Sequence, residues 1–318
     1  TIGDINGIGI DIFLKLYLNS KIKNVILFCN IIILKNYLKK NKINLKLNLF
    51  NKSNISNIYK KSELNIYSYK ANSHESNTIN SIIYSHNECV KKIIIGVITL
   101  PIRKDIIIKK IDRNFTGHTE FLSNLENKEY TNMILIHNKI IVSPLTTHIS
   151  LKKVSKEILK KDFIFNQIIN LNNTLKIDLN IKNPRIIIAG LNPHAGENGK
   201  IETEEITVNK VIKNLKNKNI NITGTVSADS MLLNIKNYDC FIFMYHDQAL
   251  IPFKYISKFS GVNFTGNLDI IRVSPDHGTA YNLKGSKNIS DTSIKKCFNL
   301  INKINKNRSL KYASKKIT

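Results

Sequence analysis

Short apolar runs alternate with helix-patterned segments along this chain, and polar clusters follow the runs. Val25–Cys29, Lys92–Ile98 (KIIIGVI), residues 132–136 and 140–146, Arg185–Ala189 and Phe241–Tyr245 read as strands. Residues 8–18, 31–40, 151–170 and 203–217 carry helical spacing between them. This alternation predicts a layered α/β fold. The stretch 52–90 is rich in Ser, Asn and Lys and has little periodicity, so its elements stay open. The last 30 residues read as a helix that gives way to a frayed basic tail, KNRSLKYASKKIT. Gly, Pro, His, Asp and Asn gather just after the strands, as in LPIRK, GLNPHAGENG and YHDQ. Ligands of open α/β sheets bind at the carboxyl ends of strands. These clusters are therefore site candidates, although turn chemistry alone also recruits Gly, Pro and Asn.

At 318 residues the chain is long enough for about two domains. Its 48 Lys and Arg against 23 Asp and Glu give a net charge of +25, which first suggests a nucleic-acid binder. Lys, Asn and Ile dominate almost everywhere, however, including plain surface helix such as VIKNLKNKN. All three have A/T-rich codons, so base bias explains the charge. The basic residues are diffuse and form no zinc-finger, RNP or basic-zipper pattern, so specific nucleic-acid binding is not expected; anionic substrates would still be steered. Cys29, Cys89, Cys240 and Cys297 form no CxxC pair. Cys29 and Cys240 lie in apolar runs and read as buried, which with the absence of an apolar run of about 18 residues points to a reduced cytoplasmic setting without a membrane span. The chain opens inside a motif without Met, from which a short missing N-terminal piece is expected.

Five histidines stand in strand-end or Gly/Pro-marked segments: His118 (TGHTEFL), His148 (PLTTHIS), His194 (NPHAGENG), His246 (MYHDQ) and His277 (SPDHGTA). One such histidine alone is an ordinary loop residue, but a folded sheet could converge several into a metal site. His74, His86 and His137 lie in unremarkable contexts. NPHAGENG leads into a helix and serves equally as an anion loop or as a tight turn. Glu202, Glu204 and Glu205 fall in that helix's first turn, where carboxylates favour the dipole. Lys254, Asn263 and Arg272 supply a point charge, a neutral donor and a fork, the combination suited to a phosphate. There is no GxGxxG, P-loop, GxSxG or HExxH, so a classical Rossmann site is not supported.

The ordered set GDxxGIG, TGHTEFL, TTHISL, AGLNPHAGENG with EE after it, MYHDQxLIPFK, GVNFT and IRxSPDHGTA resembles the 4-hydroxythreonine-4-phosphate dehydrogenase family of pyridoxal 5′-phosphate biosynthesis. The blocks run from residue 3 to residue 280, and NPHAGE and YHDQ…PFK are the most specific. The resemblance implies oxidation of the C3 hydroxyl of 4-phosphooxy-L-threonine with NAD or NADP. The resulting 3-oxo acid loses CO2 to give 3-amino-2-oxopropyl phosphate. It also implies a divalent metal (Zn, Mg or Co) and a homodimer whose metal site is shared across the interface. The implied fold is a two-domain α/β/α arrangement resembling isocitrate and isopropylmalate dehydrogenases, with the active site in the cleft between domains. Approximate boundaries are 1–117 with 285–318 for the first domain and 118–284 for the second. Carried over residue by residue, the metal ligands are His148, His194 and His246. The substrate contacts are His118, Thr119, Lys254, Asn263 and Arg272. Asp247 and Lys254 are the catalytic candidates, Asp247 either orienting a ligand imidazole or moving protons.

The chain departs from the family's usual GDPAGIGPE in GDINGIGID and from PINK in PIRK, where Arg103 takes the Asn place. Glu202 stands for a Gly, and Asn282 and Lys284 stand for an Asp and an Ala after DHGTA. Two other readings remain open: a dehydrogenase of a related four-carbon phosphate such as D-threonate or D-erythronate 4-phosphate, and a drifted, non-catalytic polyanion-binding protein.

Overall fold

The structure is a computed structural model that describes residues 1–51, 59–201, 203–286 and 289–315. After the Gly3–Gly7 turn, α1 (Ile8–Leu18) buries Ile8, Ile10, Ile12, Leu14 and Leu16, as a helix apolar on most sides must. β1 (Ile26–Phe28) leads to α2 (Ile31–Lys40), capped by Asn30, which accepts from the Ile32 and Ile33 N–H groups. β2 (Leu47–Phe50) comes next, and β3 (Leu64–Tyr67) and α3 (His74–Val90) occupy the region of weak periodicity. α3 starts on a reciprocal cap between Ser73 and Ser76, a capping box with Ser in the usual Glu place. Residues 52–58 of that region lie outside the described residues.

β4 (Val97–Ile98), α4 (Lys104–Lys110), α5 (His118–Leu125), β5 (Asn132–His137), β6 (Ile140–Thr146), α6 (Leu151–Ile158) and α7 (Lys161–Ile177) follow. Then come β7 (Ile186–Ala189), α8 (Glu204–Asn217), β8 (Ile222–Val226), β9 (Cys240–Tyr245), α9 (His246–Ser257), β10 (Val262–Gly266), β11 (Arg272–Pro275) and α10 (Thr292–Lys315).

By compactness the chain divides into two units, Thr1–Leu122 with Asp269–Asn302 and Ser123–Leu268 with Lys303–Thr318. This division gives His118, Thr119 and Arg272 to the first unit, where the sequence-based boundaries assign them to the second domain. In the first unit, β1, β3 and β2 form a parallel sheet in that order, and β4 pairs in parallel with β11, Val97 opposite Arg272. Its core joins α1 to Leu27, Leu34, Leu38, Leu64, Ile66, Leu100 and Ile294. Three motifs meet there. Gly3 has φ +64°, and a Cβ on it would lie 2.7 Å from both Leu100 Cβ and the Pro101 carbonyl. Asp4 N–H donates to that carbonyl at 2.8 Å, and Ile8 N–H donates to the Thr279 carbonyl at 3.0 Å.

In the second unit the strand order is β10-β5-β6-β9-β7-β8. β10/β5 and β5/β6 are antiparallel; β6/β9, β9/β7 and β7/β8 are parallel. The carboxyl ends of β6, β9, β7 and β8 therefore share one edge. Leu135, Val142, Ile187, Phe241, Phe243, Ala249 and Phe253 form the core beneath it.

Three sequence expectations are corrected. The helix expected over 151–170 is two helices, because Lys160 is extended (ψ 100°). In one unbroken helix Ile164 would be turned about 120° away from Ile158; the break lets both be buried. Of the strand expected over 92–98 only Val97–Ile98 pairs, and residues 93–96 border an apolar cavity instead. The basic tail is helical as far as Lys315. Arg308 explains this: Nε donates to Asp178 Oδ1 at 2.7 Å, and Nη2 donates to the Leu268 carbonyl at 3.1 Å. The four cysteines are buried and unbridged. Among the described residues no helix is long and apolar enough to cross a membrane.

Candidate active site

β6 and β9 run in parallel with Thr146 opposite Tyr245, so His148 and His246 leave neighbouring strands at the same edge. Their ring centroids are 6.0 Å apart. Thr146 Oγ1 donates to the Met244 carbonyl at 2.8 Å and ties the two strand ends together. The His246 Nδ1 lies 2.6 Å from Asp247 Oδ1. An ionised carboxylate only accepts, so Nδ1 carries the proton and Nε2 keeps its lone pair for a ligand. Thr146, Thr147, His148, Tyr245, His246 and Asp247 line a cleft of about 220 Å³. A larger cavity of about 660 Å³ in the first unit is lined by apolar residues such as Phe13, Ile95 and Phe298, and it is not where the imidazoles gather.

β7 flanks β9 on its other side, with Ile188 opposite Ile242, and delivers GLNPHAGENG to the same edge. His194, Ala195, Gly196 and Glu197 have φ of 49°, 52°, 75° and 45°, and His148 has 50°. Residues with a Cβ rarely adopt this region, and such strain concentrates at functional loops. The loop is wrapped around Glu205, which is buried and accepts from the Leu191 and Asn192 N–H groups at 2.8 Å each. Asn192 Nδ2 donates to Glu205 Oε2 at 3.1 Å. A Cβ on Gly196 would lie 2.5 Å from that oxygen, so only glycine fits. Gln248 accepts from Met244 N–H at 2.8 Å and donates to the Gly190 carbonyl at 3.0 Å, joining the ends of β9 and β7. The sequence reading gave Gln248 no role and gave Glu205 only a dipole role. The one available signal was the EE pair after NPHAGENG, since loop-holding by a buried carboxylate has no local pattern.

Among the described residues no three His, Cys, Asp or Glu side chains gather closely enough to hold a metal ion. The pair His148–His246 comes near to one: on an ion with metal–nitrogen bonds of about 2.1 Å at tetrahedral angles, two imidazoles have ring centroids about 5.3 Å apart, so this pair, at 6.0 Å, would have to draw together by under 1 Å to share it.

Lys254 lies eight residues beyond His246 on α9, about 12 Å along the axis. Its Nζ is 5.4 Å from the centre of the Phe259 ring. Asn263 is opposite Leu135, which is opposite Val142, four residues short of Thr146 and so about 13 Å from the histidine edge. Its Oδ1 is buried with no hydrogen-bond partner among the described residues. Within one chain, neither residue reaches the imidazole pair.

Arg272 is buried on β11 of the first unit. Nε and Nη2 donate to Thr99 Oγ1 at 2.9 and 2.6 Å, and Nη1 donates to Thr119 Oγ1 at 3.3 Å. Burial pushes its pKa down to about 10 against the opposing pull of Glu120. The His118 Nε2 is buried without a hydrogen-bond partner among the described residues. Burial first, then Arg272 and Lys104, hold this imidazole well below its usual pKa, so it is neutral at pH 7. Of the departures from the family pattern, Arg103 pairs with Asp105 at 2.7 Å and lies 5.8 Å over the Tyr281 ring. Glu202 lies outside the described residues.

The profile of the family described as pyridoxal phosphate biosynthetic protein PdxA matches residues 21–301. The 4-hydroxythreonine-4-phosphate dehydrogenase of Wigglesworthia glossinidia brevipalpis is 36% identical over 324 aligned positions, covering 98% of this chain and 97% of the relative. The enzyme of the same name from Sulfurihydrogenibium sp. (strain YO3AOP1) is 39% identical over 67% of this chain and 66% of its own length. The crystal structure of 4-hydroxythreonine-4-phosphate dehydrogenase from Klebsiella pneumoniae superposes with a TM-score of 0.77 at 25% identity, over 96% of this chain and 98% of that one.

Proposed function

The chain belongs to the pyridoxal phosphate biosynthetic protein PdxA family, and from that premise we propose that it oxidises 4-phosphooxy-L-threonine at C3 with NAD or NADP. The 3-oxo acid then loses CO2 to leave 3-amino-2-oxopropyl phosphate. The observation that carries this reading is the His148–His246 pair at adjacent strand ends, with Asp247 holding the Nδ1 of His246. His194, on the third strand-end loop of the same edge, is the third ligand of this reading, although within one chain it does not gather with the pair. When bound, a divalent ion (Zn, Mg or Co) would supply Lewis acidity to the oxygen that is oxidised.

The chain's own residues do the rest. Asp247 fixes the tautomer of His246, and Glu205 and Gln248 hold the loops that carry His194 and His246. Arg272 and Thr119 bind an anionic group of the substrate, and neutral His118 adds a polar contact through Nε2. A bound nicotinamide would accept the C3 hydride, and the hydroxyl proton would pass to a base beside the histidines, for which Asp247, in contact with His246, is the candidate. Lys254 stands about 12 Å along α9 from His246, and Asn263 lies two strands from β6 and about 13 Å below the histidine edge. That separation favours a homodimer in which one protomer's Lys254 and Asn263 serve its partner's histidines.

A substrate panel tests the reading. NADH formation with 4-phosphooxy-L-threonine, and at least about tenfold less with D-threonate or D-erythronate 4-phosphate, supports it. The reverse preference moves the assignment to the related hydroxy-acid phosphates.

A further inference from the structure

We propose that Lys104 is a further substrate-binding residue, the second cation of an oxyanion site built by Arg272, Thr119 and His118, and that it contacts the phosphate. This rests on the dehydrogenase reading for the identity of the substrate. The argument for an anion comes from the first unit alone.

Lys104 opens α4 after the five residues that follow β4, and β4 pairs in parallel with β11 at Arg272. Arg272 thus stands on this strand pair and Lys104 at the end of the loop that leaves it. The Lys104 ammonium folds over Gly117. A Cβ there would lie 3.1 Å from Nζ and 2.9 Å from Glu120 Oε2. The two charged ends are thus within about 6 Å of each other, and a side chain at Gly117 would have to push them aside.

Lys104, Arg272, Glu120 and His118 are close enough to shift one another's titration. Burial and Arg272 lower the Lys104 pKa while Glu120 raises it. His118 is depressed by burial, by Arg272 and by Lys104. Two cations face one carboxylate around a neutral imidazole whose buried Nε2 makes no hydrogen bond among the described residues. Like charges brought together away from water repel unless an anion joins them. A dianionic phosphate answers that excess charge, and it accepts from an ammonium, a guanidinium and an imidazole N–H together. A Lys present only as the partner of Glu120 would not need Arg272 and an unsatisfied imidazole beside it.

The test is calorimetric titration with inorganic phosphate at physiological salt, followed by steady-state kinetics. The variant Lys104→Met should bind phosphate at least about tenfold more weakly, with KM for the phosphorylated substrate raised in parallel and kcat little changed. Lys104→Arg should restore most of both. The exposed neighbour Lys109, changed to Met, controls for the general positive charge and should behave as wild type. Should Lys104→Met not fold, Lys104→Gln keeps a polar group beside Glu120 and carries the same test. Phosphate binding unchanged in a folded Lys104 variant, with only the melting temperature lowered, overturns the proposal and leaves Lys104 a structural partner of Glu120. Lys104-dependent phosphate binding in a protein that forms no NADH would leave this site standing and remove the dehydrogenase reading instead.

Discussion

Single side chains decide whether this site is held in shape. Glu205 is buried and accepts from two backbone N–H groups of the loop that carries His194. Replacing it with Ala leaves those donors without their acceptor, so we expect a loss of about 2–3 kcal/mol in stability, read as a lower melting temperature. Asp247 acts on chemistry rather than on stability. It is exposed and touches His246 through Nδ1, so Asp247→Ala should weaken metal binding about 10–100-fold with the fold intact, read by metal titration. His118 and His277 both have pKa values lowered chiefly by burial. The unfolded chain takes up these protons near pH 6.5 while the folded chain resists until lower pH. Their stabilising effect is therefore complete above about pH 6.5 and is lost as the pH falls through the folded values. The melting temperature should drop on acidification below pH 6.5, and His118→Gln should flatten that dependence.

At the level of elements, the strands were legible because buried parallel strands are written as apolar runs, as in RIIIA and CFIFMY. The helix break at Lys160 was less legible, since local spacing alone reads 151–170 as one helix. The ordered tail was not legible at all. A run of Lys, Asn and Ser reads as frayed, yet Arg308 reaches across to the buried Asp178. Arg308→Ala would leave that carboxylate buried without its fork, and we expect about 3 kcal/mol of destabilisation in chemical denaturation. The histidines could be picked from the sequence one at a time. Which of them meet could not, because His148 and His246 become neighbours only through the non-sequential order β6-β9-β7. Lys254 shows the converse. It shares a motif with His246, but helical rise carries it about 12 Å away.

Across the whole molecule, the +25 charge and the metabolic reading make different demands. As diffuse surface charge it should only steer the anionic substrate, so kcat/KM should fall with ionic strength while kcat holds. As a polyanion-binding surface it would give nucleic-acid affinity with a steep salt slope. Both the family match and the imidazole pair favour the first. The measurement that tests the central claim most directly is NADH formation from 4-phosphooxy-L-threonine and NAD, with added Zn or Mg, with EDTA, and in the His148→Ala, His194→Ala and His246→Ala variants. The account predicts turnover that EDTA abolishes, that metal restores, and that each variant loses while remaining folded. Turnover indifferent to EDTA, or retained by a folded His246→Ala protein, would contradict it.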